Sequence, residues 1–70
     1  MELRDAHFCI MELLDRDEWR PVGNPEAVAL VEDLAAAKMA EWKNGHAILL
    51  PDGVSARDDY RELGDYIASL

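Results

Sequence analysis

The sequence predicts an α+β fold, three helices plus a two-stranded antiparallel β-hairpin, and three observations predict it. Apolar residues recur at helical spacing in three separate segments. Asn24-Pro25-Glu26 forms a helix-start signature. Asn44-Gly45 separates two short runs of apolar and polar alternation, which marks a hairpin.

The first helix is read from Leu3 to Asp15. Plotted at about 100° per residue, Leu3, Ala6, Ile10, Leu13 and Leu14 share one side, and Arg4, Glu12 and Asp15 the other. Phe8 falls out of phase among the polar residues. Trp19 to Gly23 reads as a connector, because Pro21 and Gly23 interrupt regular structure. The second helix starts at Asn24, whose side chain can accept a backbone N–H. Pro25 at the first helical position forgoes no needed donor, and Glu26 favours the positive end of the helix dipole. It is expected to run to about Lys38 with Ala27, Leu30, Val31 and Leu34 inward and Glu26, Ala29, Glu32, Asp33 and Ala36 outward.

Met39 to Lys43 and His46 to Leu50 form the hairpin, since Asn-Gly supplies the positive φ angles of a type I′ turn. With those two residues as the loop, Lys43 pairs with His46 and Trp42 with Ala47. Ala40, Trp42, Ala47 and Leu49 then share an apolar face; Glu41, Lys43, His46 and Ile48 share the other, with Met39 and Leu50 at its base. Pro51-Asp52-Gly53 reads as a second turn. Ser55 to Asp58 resembles a capping box with Asp in place of Glu. The last helix follows, with Ala56, Tyr60, Leu63, Ile67 and Leu70 expected inward and Tyr66 at the margin. Arg61 and Asp65 are spaced to pair on its exposed side, and Gly64 either weakens it or permits a close crossing.

Seventy residues make one small domain, 1–70, able to bury about 60% of the surface its unfolded chain exposes. Fifteen acids against seven bases give a net charge of −8, a field that repels phosphate backbones and anionic membranes and attracts basic protein surfaces. Cys9 is the single cysteine, so no internal disulfide forms. The start of the chain lacks a signal-peptide pattern and no segment has the length of a membrane span, so a soluble, cytoplasmic protein is expected.

The sequence offers little for catalysis. His7 and Cys9 lie two apart on one helix and point in different directions, so they make no nucleophile pair, and Cys9 reads as a small buried hydrophobe. His46, beside a tight turn, reads as solvated. Two histidines and one cysteine give no zinc signature. The carboxylates Asp58, Asp59, Glu62 and Asp65 lack calcium-loop spacing and read as a solvated face. No enzyme activity, cofactor or metal is expected.

Two candidate protein-binding surfaces remain. Phe8 with Arg4, Met11 and Asp15 has the aromatic, Met and Arg composition of an interface centre, if Phe8 is exposed and not packed on its own chain. Glu26, Glu32 and Asp33 form an acidic face suited to a basic partner.

The order helix, connector, helix, hairpin, helix resembles small bacterial and phage winged-helix domains. Leu30 to Gly53 is similar to their stretch from recognition helix through wing, and the resemblance covers Leu3 to Gly53. It implies DNA binding through the second helix, yet that helix presents Glu26, Glu32 and Asp33 where phosphate contacts need Lys or Arg. In size, acidity and lack of catalytic residues the chain is similar to phage and mobile-element inhibitors of host machinery, anti-CRISPR proteins among them. The expected function is therefore non-catalytic binding of a basic protein surface, such as that of a nucleic-acid-binding complex. Two alternatives stand beside it: a winged-helix regulator that binds DNA as a dimer, and an assembly module that self-associates through Phe8 and Met11.

Overall fold

Helix ends and one tight turn set the chain path. The computed structural model describes residues 3–69, ordered as α1 (Asp5–Leu13), β1 (Arg20–Pro21), α2 (Pro25–Ala36), β2 (Ala40–Lys43), β3 (His46–Leu49) and α3 (Pro51–Ala68). The expected α+β class with three helices forms, with one strand more than the sequence indicates. β1 pairs antiparallel with β3, so the sheet order is β1-β3-β2. Two exposed residues, one of them Pro, carry no alternation signal. Pro21 is tolerated because β1 is an edge strand, and the pairing is extended where the Val22 N–H donates to the Gly45 carbonyl at 2.9 Å.

α2 begins as the sequence indicates. The Asn24 side chain accepts from the N–H groups of Glu26 and Ala27, at 2.9 and 3.3 Å, with Pro25 at the first helical position. Its end comes earlier than Lys38, at Ala36. Lys38 turns into the left-handed region at φ 62°, its N–H donating to the Ala35 carbonyl and the Met39 N–H to that of Leu34. This Schellman closure is usually built on Gly. Met39 then leads directly into β2. The hairpin register matches the sequence expectation, Lys43 with His46 and Trp42 with Ala47, around Asn44 and Gly45 at φ 52° and 76°.

Ile10, Met11, Leu14, Val31, Leu34, Ala40, Ala47 and Leu49 form the core, joined by His7. α2 packs on β2 and α1 on α2, and the Leu49 N–H, donating to the Asp15 carbonyl at 2.9 Å, ties the connector to β3. α1 is shorter than Leu3 to Asp15. Leu14 leaves the helix in extended backbone and tucks into the core, while Asp15 accepts the Asp17 N–H at 3.0 Å and closes the turn. That exit leaves Leu13 71% exposed, and Ala6 is exposed too, so neither faces inward as expected.

Pro51-Asp52-Gly53 is not a separate turn but the first turn of α3. Pro51 needs no N–H there and presets the helical φ. Gly53 is buried against the Met39 carbonyl, so close that a Cβ would collide with it. The apolar positions of α3 also depart from expectation. Ala56 is half-buried, but Tyr60, Leu63, Tyr66 and Ile67 are exposed; Leu70 lies outside the described residues. At about 1.5 Å per residue, α3 is roughly 27 Å long and α1 about half that, so the second half of α3 runs past the body. The molecule is correspondingly elongated, 42 × 23 × 19 Å.

Candidate interaction surfaces

α2 displays its outward residues as expected. Glu26, Ala29, Glu32, Asp33 and Ala36 are all exposed, while Val31 and Leu34 are fully buried. Glu26 and Glu32 take part in none of the ion pairs among the described residues. Asp33 differs, because its Oδ2 lies 3.1 Å from Nε2 of His7. The other ring nitrogen, Nδ1, lies 3.0 Å from the Arg4 backbone N–H. A backbone amide can only donate, so Nδ1 accepts and Nε2 carries the proton toward Asp33. His7 is thus a core residue bridging α1 to α2 with both nitrogens engaged, which leaves neither to take a substrate proton.

The basic side chains are largely neutralised by neighbours. Arg16 pairs with Asp17, Arg20 with Asp15 and Glu18, Arg57 with Asp58, and Arg61 with Glu12 and Asp58. Among the described residues, Arg4, Lys38 and Lys43 are the cations outside such pairs. None of them lies within α2.

The surface expected around Phe8 is rearranged. Met11 is fully buried in the core, so it is no part of an exposed patch. Phe8 is half-buried and stacks on Tyr60 of α3, ring centroids 4.1 Å apart and planes within 7°. Asp15 is half-buried in the connector; the Asp17 backbone N–H first, then Arg20, hold its carboxyl below the usual range. Cys9, read as buried, is exposed instead. Two polar contacts flank the aromatic stack. The Tyr60 hydroxyl donates to Asp5 at 3.2 Å, which raises the phenol above its ordinary range. Arg61 forks onto Glu12, Nε to Oε1 at 2.6 Å, and that hydrogen bond lowers the Glu12 carboxyl. Arg61 therefore serves the α1–α3 contact and not the expected pair with Asp65.

Beyond this clasp lie Leu63 and Ile67, expected inward, and Tyr66, expected at the margin, all between 56% and 63% exposed. Their signal was present in the spacing. What they lack, among the described residues, is a covering element.

Elsewhere, Arg16, Asp17, Leu49, Pro51 and Val54 line an open concavity of about 390 Å³. Its charged groups already pair with each other. Among the described residues no group of three or more His, Cys, Asp or Glu could hold a metal ion, and no helix is long and apolar enough to cross a membrane. The chain matches no known protein family, no curated protein and no solved structure.

Proposed function

We propose that the protein is a non-catalytic binding module whose acidic α2 face engages a basic surface on another protein. A nucleic-acid-binding complex fits this description, and occupying its channel would make this chain an inhibitor of the anti-CRISPR kind, acting in the cytoplasm. The observation that supports this reading is the outward face of α2, which carries Glu26, Glu32 and Asp33 with no basic residue anywhere in the helix. Four of the seven Lys and Arg side chains are engaged by local carboxylates, and the chain carries a net charge of −8. Such a field accelerates encounter with a cationic patch and penalises approach to phosphate.

Glu26 and Glu32 carry the recognition. Asp33 contributes charge but also holds His7, so reversing it would disturb the α1–α2 contact as well as the surface. The test is Glu26→Lys with Glu32→Lys, assayed by affinity capture from nuclease-treated host lysate with washes of rising salt. Wild-type protein should retain a basic partner at low salt and release it as salt rises. The double variant should fold normally and bind at least about tenfold more weakly, as expected when complementary charges become like charges. Capture that ignores both salt and charge reversal would refute the acidic-face reading. Wild-type affinity for duplex DNA at low salt would favour a winged-helix-type regulator instead.

A further inference from the structure

We infer that the C-terminal half of α3 is a self-association seam, and that its occupant is the same helix of a second copy, packed antiparallel. Ala56, Tyr60, Leu63 and Ile67 are spaced four, three and four apart, the a/d spacing of left-handed helix pairing. Within the body this seam is used: Ala56 packs against the core and Tyr60 stacks on Phe8. Past Tyr60 the same seam continues with no described residue packed over it, and Leu63 and Ile67 are 56% and 59% exposed.

The spacing calls for a helix as partner, and three further features point to a second copy of this one. The first is geometry. An antiparallel overlap of the two free halves sets Leu63 of one copy against Ile67 of the other, and the two-fold axis repeats that layer. The globular bodies then lie at opposite ends of the paired helices. The second is charge. The layer of Leu63 and Ile67 carries no charge of its own, and the arginines of α3 are already committed, Arg57 to Asp58 and Arg61 to Glu12.

The third is area. Tyr60, Leu63, Tyr66 and Ile67 together leave roughly 400–500 Å² uncovered, taking about 200 Å² for a fully exposed large side chain. Two such faces with their flanks come to about 1,000 Å², near the lower bound for a specific interface. A seam of that size suits a transient dimer and not an obligate one. Helical pairing would also support the last two turns of α3, which as isolated helix would be marginal.

Sedimentation velocity from low micromolar to millimolar protein tests this directly. The wild-type mass should rise from monomer toward twice that value. Raising salt should tighten the dimer, because screening relieves repulsion between acidic bodies while the seam is apolar. Leu63→Asp and Ile67→Asp should each remain monomeric throughout. Both residues are more than half exposed, so tryptophan fluorescence and cooperative unfolding should confirm an intact body. Leu13→Asp, a still more exposed apolar site at the end of α1, should dimerise as wild type.

A wild-type chain that stays monomeric at every concentration and salt overturns the proposal. So does an oligomer that Leu63→Asp leaves intact or that Leu13→Asp abolishes. The seam needs nothing of the acidic α2 face: Glu26→Lys with Glu32→Lys should keep the dimer, so either proposal can fail alone.

Discussion

Phe8 and Tyr60 bring α1 and α3 together, and the polar groups around their stack make that contact sensitive to pH from both sides. Glu12 has its carboxyl lowered by the hydrogen bond from Arg61. Its contribution is therefore complete above the ordinary carboxylate range and is lost as pH falls through the lowered value. Tyr60 has its phenol raised by donating to Asp5. That contribution is complete below about 10, the ordinary phenol value, and is lost as pH rises through the raised one. Thermal unfolding followed across pH should give a Tm plateau in the neutral range with a decline at each end. Glu12→Gln should flatten part of the acid limb, the remainder belonging to groups such as Asp15. Tyr60→Phe should flatten the alkaline limb while keeping the aromatic stack. An unchanged alkaline limb in Tyr60→Phe would show that the hydroxyl contributes nothing. Of these residues, only the aberrant phase of Phe8 was visible in the sequence. Its stacking on a side chain 52 positions away depends on where α3 lands, and local spacing carries no information about that.

Two glycines of α3 make opposite predictions, and the difference is one of packing. Gly→Ala within a helix ordinarily stabilises by about 0.5–1 kcal/mol. Gly64 has open space where a Cβ would sit, so Gly64→Ala should raise stability by about that amount in dilute protein. Gly53 abuts the Met39 carbonyl, and backbone there cannot yield cheaply because the Leu50 N–H donates to that same oxygen at 3.0 Å. Gly53→Ala should therefore destabilise by about 1–3 kcal/mol, the usual cost of overpacking. Urea denaturation of the two variants checks both signs; a stabilised Gly53→Ala would mean that α3 can slide off the hairpin. The same contrast explains which elements the sequence displayed. Asn24-Pro25 and Asn44-Gly45 act through their own backbone and neighbours, so the α2 start and the hairpin register were legible. Pro51-Asp52-Gly53 has the composition of a turn, but docking of Gly53 on Met39 turns it into a helix start. β1 is defined wholly by its partner β3, and Arg20-Pro21 alone says nothing of it.

At the scale of the molecule, the mismatch in length between α1 and α3 matters most. Periodicity correctly identified Tyr60, Leu63 and Ile67 as one face, and only the inference that a face must be covered within the same chain failed. The outward residues of α2 were legible because exposure on an amphipathic helix follows from phase alone; the tie between Asp33 and His7 was not, because it joins two helices. These differences should appear as a gradient of backbone protection. Val31, Leu34 and Leu49 sit in elements packed on several sides, so their amides should exchange only through global opening. Leu63 to Ala68 have intrahelical hydrogen bonds but few tertiary contacts, and should exchange by local fraying despite being continuous with α3. In dilute protein the last turns should therefore show little protection. Raising the concentration should confer protection there, because pairing of the seam removes the frayed state by mass action. Hydrogen exchange read residue by residue at two concentrations provides the check. Full protection of Leu63 to Ala68 at the lowest concentration would mean that the helix end is stable without a partner. The physical reason for a second copy to cover it would then be lost, although the exposed side chains would remain.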